Sequence, residues 1–534
     1  MLRDAREIDA DTSLAYDLCI VGAGTAGIAL AQRFLGGSCR VGVLESGGVT
    51  FDRAAQALAG GESVGRGYFP LDETRLRRFG GTTGWWAGEC RPLDANADLA
   101  ARPWLGHPGW PITGAELAEY YARAQSVCDL GPGEFEPAEA WFEKAGCKPL
   151  ALDTRRFVTQ IFKYCPPAKF VKTGTRDLTG AANIEVILNA TVTSIVAEPG
   201  ERIVKGVRAR SAPAREFAID ARVVVLAAGG IENARLLLAS SQSRPAGLGN
   251  DHDQVGRAFM EHLFFDDVAR FQPSVLLPSM RLYGRRQPIS GSSIKATLAP
   301  SAGLLAEAGM LNCCFKFVSP IKRYPGVVAA LALRDGLRRG FPPSGRGEQF
   351  RTLVAELPTT VVKLLRAALK GEYGSSARPS PLLVSVTSEQ APNPDSRVTL
   401  SPRRDALGQP LARLDWRLSE LDCRSWTTGL ELLARELADR RLGQIIGPDA
   451  ERREAAIERL RGGRHHIGTT RMADDPKHGV VDRNGQVHGV GNLFIAGSSV
   501  FPTAGHANPT LTIVALALRL ADHLKAACLG YARI

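Results

Sequence analysis

Near its C-terminal end the chain carries histidines and an asparagine suited to handling a hydroxyl proton. It reads RHHIGTTRM from Arg464, then NLFIAGSSVFPTAG, then HANPTLTIVALALRLADHL ending at Leu524. An imidazole changes protonation near neutral pH, so His465, His466 or His506 could act as a general base on a hydroxyl. Asn508 can hydrogen-bond the same oxygen without titrating, as a positioning group should. A short strand and a Gly-Ser-Ser turn separate the two groups. The stretch therefore reads as one site built from two loop ends, with the base open among the histidines.

These side chains need elements to hold them. Pro509 has no N–H to leave unpaired at a helix start, and its fixed φ suits the first helical position. Leu511, Val514, Ala515 and Leu518 follow helical spacing, so the helix that begins there is expected to be buried along one side.

A second chemistry-bearing pattern lies at the other end of the chain. Tyr16-Asp-Leu-Cys-Ile-Val is an apolar strand that runs into Gly22-Ala-Gly24-Thr-Ala-Gly27 and then into a helix. Gly22 makes the tight turn, Gly24 lets a pyrophosphate approach, and the helix N-terminus supplies free N–H groups. The strand Arg40 to Glu45 ends in an acid placed to accept a ribose hydroxyl. The motif predicts a dinucleotide and does not separate NAD from FAD. Another strand, Val223 onward, turns at Gly229-Gly230 into the helix Ile231 to Leu238, which argues for one sheet assembled from distant segments. Arg77 to Gly88 brackets Trp85 and Trp86 with glycines, a loop able either to wrap a planar ring or to pack beneath an interface.

Strands are also expected at Asn183 to Leu188, Ala190 to Val196 and Gly206 to Arg210, and a helix from Gly114 to Leu130 with a Thr113/Glu116 capping box. From Val255 to Gly463 alternating runs, Ser293 to Leu298, Leu382 to Thr387 and Leu411 to Arg417, read as half-buried antiparallel strands of a second, α+β unit.

With 44% hydrophobic and 23% charged residues the chain has the balance of a folded protein. The net charge of +11 is concentrated: Pro320 to Arg378 holds eleven Lys or Arg against four Asp or Glu. The helices expected there, Val327 to Arg339 and Phe350 to Lys370, flank the breaker Phe341 to Gly345. They read as a solvated basic face, or as a peripheral membrane contact through 322–370. No nucleic-acid motif or metal-ligand spacing is present, and the ten scattered cysteines read as reduced. The charged N-terminus has no signal-peptide pattern and no run reaches the roughly 18 apolar residues of a membrane span, so a cytoplasmic location is expected.

The glycine turn, the Gly80-Gly81-Thr82-Thr83 loop, Ala227-Ala-Gly-Gly-Ile-Glu-Asn-Ala-Arg-Leu and the C-terminal stretch together resemble the glucose-methanol-choline (GMC) flavin oxidoreductases, and within them the bacterial sugar-type branch of fructose dehydrogenase large subunits and pyranose-acting enzymes. The resemblance implies an α/β fold: a Rossmann-like FAD-binding domain from 14–100, 178–255 and 464–534, and an α+β substrate domain with an antiparallel sheet from 101–177 and 256–463. It implies oxidation of a CH-OH group in a sugar, glycoside or polyol, with His465 as base in the pattern HxxG and Asn508 as its partner. A lyase using His465 with the flavin as spectator is the alternative. Cofactor contacts are implied at Gly22, Gly24, Thr25, Ala26, Gly27, Glu45 and Ser46, then at Gly80, Gly81, Thr82, Trp85 and Trp86. Further contacts are implied at Val192, Ala228, Gly229 and Asn233, and finally at Gly497, Ser498, Asn508, Pro509 and Thr510. His506 is expected to line the substrate pocket. The positive end of the Pro509 helix is expected to face the flavin pyrimidine edge. Some sugar-oxidising relatives attach FAD through a histidine where this chain has Trp85, so noncovalent FAD is expected, with dioxygen, a quinone or another molecule as electron acceptor.

Overall fold

Strand Ser13–Val21 lies in the middle of an eight-stranded sheet in the computed structural model of this chain. The structure describes residues 1–528 apart from 167, 198–199, 201, 243, 275–276, 340–345, 363–373, 376–377, 448–449 and 461. On one side Ser13–Val21 pairs with Val41–Leu44, which pairs with Ile184–Leu188, which pairs with Leu2–Asp4, all in parallel. On the other it pairs in parallel with Arg215–Leu226.

The far edge of Arg215–Leu226 is shared. Its first half forms an antiparallel ladder with Val204–Ala212, which continues to Thr191–Ala197, while Val224 to Leu226 pair in parallel with Leu493–Ile495. Register aligns the strand ends: Leu226 stands beside Val21, Val21 beside Leu44, and Leu226 beside Ile495. Four parallel strands therefore finish together, which is where open α/β sheets bind ligands.

Helix Thr510–His523 covers one face of this sheet. Leu511, Val514, Ala515 and Leu518 are buried in the cluster that holds Leu18, Ile20, Val41 and Val43. Burying each of the Leu and Val side chains contributes roughly 2 kcal/mol. Helix Gly114–Val127, with the Thr113/Glu116 capping box in place, packs beside it, and Tyr121 Oη lies 2.9 Å from Thr512 Oγ1.

The second eight-stranded sheet has its strands hydrogen-bonded to their neighbours in antiparallel fashion. Its order is Gly443–Ile446, Leu263–Pro273, Leu382–Ser388, Cys313–Val318, Ser292–Pro300, Phe157–Tyr164 and Glu89–Cys90, with Gln287–Ile289 on Ser292–Pro300. The run at Leu411 is placed differently. Strand Pro410–Trp416 pairs antiparallel with Arg397–Arg404 and parallel with Gly61–Gly65, forming a separate three-stranded sheet. The short polar strand Leu2–Asp4 carries no sequence periodicity and was not expected.

The basic segment contains helices Pro325–Arg339 and Arg346–Ala355; the breaker and the expected helix beyond residue 362 lie outside the described residues. Of the twelve exposed large apolar side chains among the described residues, seven lie between Val328 and Val362, so exposed apolar surface is concentrated there. No helix among the described residues is long and apolar enough to cross a membrane.

Candidate active site

A cavity of about 730 Å³ opens along the aligned strand ends and runs from the N-terminal glycine turn to His465 and Asn508. Each glycine of the turn has a separate steric cause. Gly22 has φ +107°, and a Cβ there would lie 2.6 Å from Ala227 O; a Cβ on Gly27 would lie 2.0 Å from Gly22 O. A Cβ on Gly24 would meet nothing within 4 Å. Gly22 and Gly27 thus shape the turn, and Gly24 keeps cavity space open.

The loop Gly81–Gly84 closes over this turn, since a Cβ on Gly81 would come within 3.0 Å of Gly24 Cα. Glu45 accepts the N–H groups of Ala23 at 2.9 Å and Gly47 at 3.0 Å, and burial raises its pKa above the usual carboxylate value. Thr25 Oγ1 and Trp86 Nε1 are buried without a hydrogen-bond partner, and both residues line the cavity. Two orphaned polar atoms on residues that line one cavity are groups a ligand can satisfy.

Beside this end sits a buried charge cluster the sequence did not announce. Glu232, at the start of helix Gly230–Ala239, pairs with Arg75 at 2.5 Å, Arg77 at 2.7 Å and Arg235 at 3.3 Å. Burial opposes its ionisation, but the three guanidinium groups win and hold its carboxyl far below the usual range. Arg235 also reaches Asp405 at 2.6 Å. The cluster ties residues 75–77, the helix and residue 405 together around the cavity wall.

At the other end two segments meet through an isolated antiparallel bridge, Met260 with Ile467. Met260 N donates to Ile467 O at 2.9 Å and Ile467 N to Met260 O at 3.1 Å. In an antiparallel pair the residues two further on and two back stand opposite each other on the same face. His262 accordingly faces His465, with 2.8 Å between their Nδ1 atoms and the rings edge to face at 4.9 Å. On the alternate side Tyr68 Oη bridges the Glu261 carboxylate and His466 Nε2, the latter at 3.1 Å. Glu261 Oε2 also accepts the N–H groups of Gly463 and His465, each at 2.9 Å, and burial pushes its pKa up to about 7.

The three imidazoles are held neutral. Burial, then the neighbouring His262, His466 and Lys316, lowers the pKa of His465 well below 6.5. Burial lowers His262 to about 4 and His466 to about 3. When Tyr68 gives its only proton to Glu261, it accepts from His466 Nε2, which spends that nitrogen on structure. His465 is different, because its Nε2 makes no hydrogen bond among the described residues and the ring borders the cavity.

Asn508 also borders the cavity, and its amide has no hydrogen-bond partner among the described residues. Pro509, with φ −72°, precedes helix Thr510–His523, whose first bond is Ile513 N to Pro509 O at 2.9 Å. The amides of Thr510 to Thr512 have no acceptor within the helix, so its positive end lies beside Asn508. Phe264 and Glu89 complete this part of the lining. Burial favours a neutral Glu89, but Lys316 at 3.3 Å and Lys295 overcome it and keep the carboxyl below its ordinary pKa.

Two family models described as GMC oxidoreductase match residues 171–264 and 392–517, which hold His262 and the His465 to Asn508 stretch respectively. Both matched regions carry the GMC oxidoreductase family pattern. A 2-methyl-1,2-propanediol dehydrogenase of Mycolicibacterium austroafricanum is 28% identical over 313 residues, 58% of this chain and 48% of that protein. A paromamine 6'-oxidase of Streptomyces fradiae is 28% identical over 306 residues, 57% of this chain and 45% of that protein. The matched region spans about half the length of these relatives. A crystal structure of formate oxidase superposes with a TM-score of 0.56 at 19% identity, covering 97% of this chain and 99% of that one, a likeness of fold.

Most of the expected site residues border this cavity: His465 and Asn508; Gly22, Gly24, Thr25, Ala26, Glu45 and Ser46; Gly81, Thr82, Trp85 and Trp86; Val192, Ala228 and Gly229; Gly497, Ser498, Pro509 and Thr510. Four do not. Gly27 packs under Gly22 O, and Gly80 bonds Ala23 O through its N–H at 2.8 Å. Asn233 is fully buried, accepting from Ala228 N at 2.9 Å and donating to Ser499 Oγ at 3.0 Å. These three shape the wall from behind. His506, expected to line the substrate pocket, is 1% exposed, pairs with Gln160 Oε1 at 2.8 Å and lies edge-on to Phe162, and it does not border this cavity. Sequence reasoning missed Glu232, Tyr68, Glu261 and His262; only the Glu-His pair ahead of a strand at Leu263 offered a local signal.

Proposed function

We propose that this protein is an FAD-dependent oxidoreductase that oxidises a CH-OH group of a small alcohol, sugar, glycoside or polyol. The observation that carries this reading is that a neutral imidazole and an unpaired amide, His465 and Asn508, open onto the same cavity that begins at the glycine turn. The residues present fit FAD: the open space at Gly24, the carboxylate of Glu45, and the orphaned Thr25 Oγ1 and Trp86 Nε1 can hold its phosphates, ribose and ring edges. When bound, FAD supplies the acceptor for the hydride leaving the substrate carbon. Trp85 in place of a linking histidine supports noncovalent attachment.

The chain's own part is proton handling and position. His465 Nε2 takes the hydroxyl proton while Asn508 hydrogen-bonds the same oxygen, so the carbon gives up its hydride as the C=O bond forms. Phe264, whose ring lies 6.1 Å from that of His465, shields that oxygen from water. The names of the relatives, a 2-methyl-1,2-propanediol dehydrogenase and a paromamine 6'-oxidase, support hydroxylated substrates. The test is anaerobic addition of diols, sugars, glycosides and aminoglycosides to the yellow protein. Bleaching of the flavin by at least one supports the reading, and a compound consumed without bleaching points to lyase chemistry instead. Repeating turnover in air, with and without a quinone, assigns the electron acceptor.

We also propose that the surface between Val328 and Val362 rests on an anionic bilayer. Its support is the concentration of exposed apolar side chains beside a segment rich in Lys and Arg.

A further inference from the structure

We infer that His262 sets the tautomer of His465 and is the positioning residue that leaves Nε2 of His465 as a bare base facing the cavity. The inference rests on His465 being the base in the reaction proposed above.

His262 is fully buried, and its Nε2 lies 3.3 Å from Ala504 O. A carbonyl oxygen only accepts, so His262 Nε2 must carry the proton. A neutral imidazole has a single N–H, which leaves His262 Nδ1 as an acceptor. Its partner at 2.8 Å is His465 Nδ1, which must then donate. The one proton of neutral His465 sits on Nδ1, and the lone pair is on Nε2. That Nε2 has no partner among the described residues, is not a buried orphan, and belongs to a ring bordering the cavity.

The opposite tautomers fail locally. They would set the lone pair of His262 Nε2 against the Ala504 carbonyl and put a proton on His465 Nε2, where a base is needed. When His465 accepts the substrate's proton it becomes a cation with two N–H groups. The one on Nδ1 stays hydrogen-bonded to His262, and no bond within the pair has to be remade. Glu261 steadies the same turn from the other side by binding the backbone N–H of His465.

Two features make the pairing a built one. The Met260 and Ile467 bridge holds the two backbones in register. Phe264, whose ring is 6.1 Å from that of His465, restricts the imidazole from a third side.

The test is nitrogen NMR of the FAD-loaded protein labelled with ¹⁵N-histidine, with the His465 signals assigned by their loss in His465→Gln. The wild type is expected to show His465 protonated at Nδ1 and bare at Nε2. In His262→Ala the proton should redistribute toward Nε2, and flavin reduction should slow by about 100-fold with KM changed less than about threefold. His262→Gln, whose amide oxygen can accept from Nδ1, should regain the wild-type tautomer and part of the rate. Finding Nε2 protonated in the wild type would overturn the inference. So would a His262→Ala protein that keeps both tautomer and rate. If that variant does not fold, the wild-type spectrum and His262→Gln decide. Failure of the base assignment shows separately, as flavin reduction surviving in His465→Ala.

Discussion

His262 and His465 come from segments far apart in the chain, yet their Nδ1 atoms stand 2.8 Å apart because Met260 and Ile467 pair as a two-residue antiparallel bridge. The candidate base is therefore positioned by backbone register, with burial keeping it neutral.

That neutrality gives a pH prediction. A histidine base works unprotonated, and burial, with the neighbouring His262, His466 and Lys316, holds the pKa of His465 well below 6.5. Lowering pH through 6.5 should leave it uncharged, so kcat/KM should stay level there and fall only at clearly lower pH. A steady-state profile measured down to the limit of protein stability checks this; an acid limb at or above 6.5 contradicts it.

The glycine turn predicts a separation of folding from cofactor binding. Gly24→Ala adds a methyl group to open cavity space and should leave apoprotein stability within about 0.5 kcal/mol while weakening FAD binding at least about tenfold. Gly27→Ala drives a methyl against Gly22 O and should destabilise the fold itself by about 1–3 kcal/mol. Denaturant unfolding and flavin fluorescence titration measure the two effects. Equal behaviour of the two variants would be inconsistent with the steric reading.

How much of this was legible in the sequence follows from where each constraint lives. The turn at Gly22 to Gly27, the strands ending at Leu44 and Leu226, and the helix after Pro509 are fixed by neighbours in the chain, and the structure has them within a residue of where spacing put them. The pairing of Pro410–Trp416 with Gly61–Gly65 is set by tertiary contact, which alternation cannot reveal. The same limit hid Glu232 and its three arginines. Proximity in sequence to Asn508 likewise does not fix which way an imidazole points: His506 pairs with Gln160 and does not border the cavity.

Noncovalent attachment predicts that acid precipitation releases all the flavin to the supernatant. Yellow colour retained in the washed pellet would show a covalent link and set aside the argument from Trp85.

For the bilayer contact, the wild type should sediment with vesicles containing anionic lipid and much less with neutral ones. A variant with Phe350, Val354 and Leu357 changed to Ser should lose most of that binding while keeping its flavin. Identical sedimentation of variant and wild type would remove the proposal.

The central claim is that His465 takes the substrate proton and Asn508 orients the oxygen, and the most direct measurement is the anaerobic rate of flavin reduction on rapid mixing with a substrate that bleaches the wild type. The account predicts that His465→Ala still binds FAD but is reduced about 10²–10⁴-fold more slowly, and that Asn508→Ala is also slowed, by a smaller factor. Reduction of the FAD-loaded His465→Ala protein at the wild-type rate would contradict it.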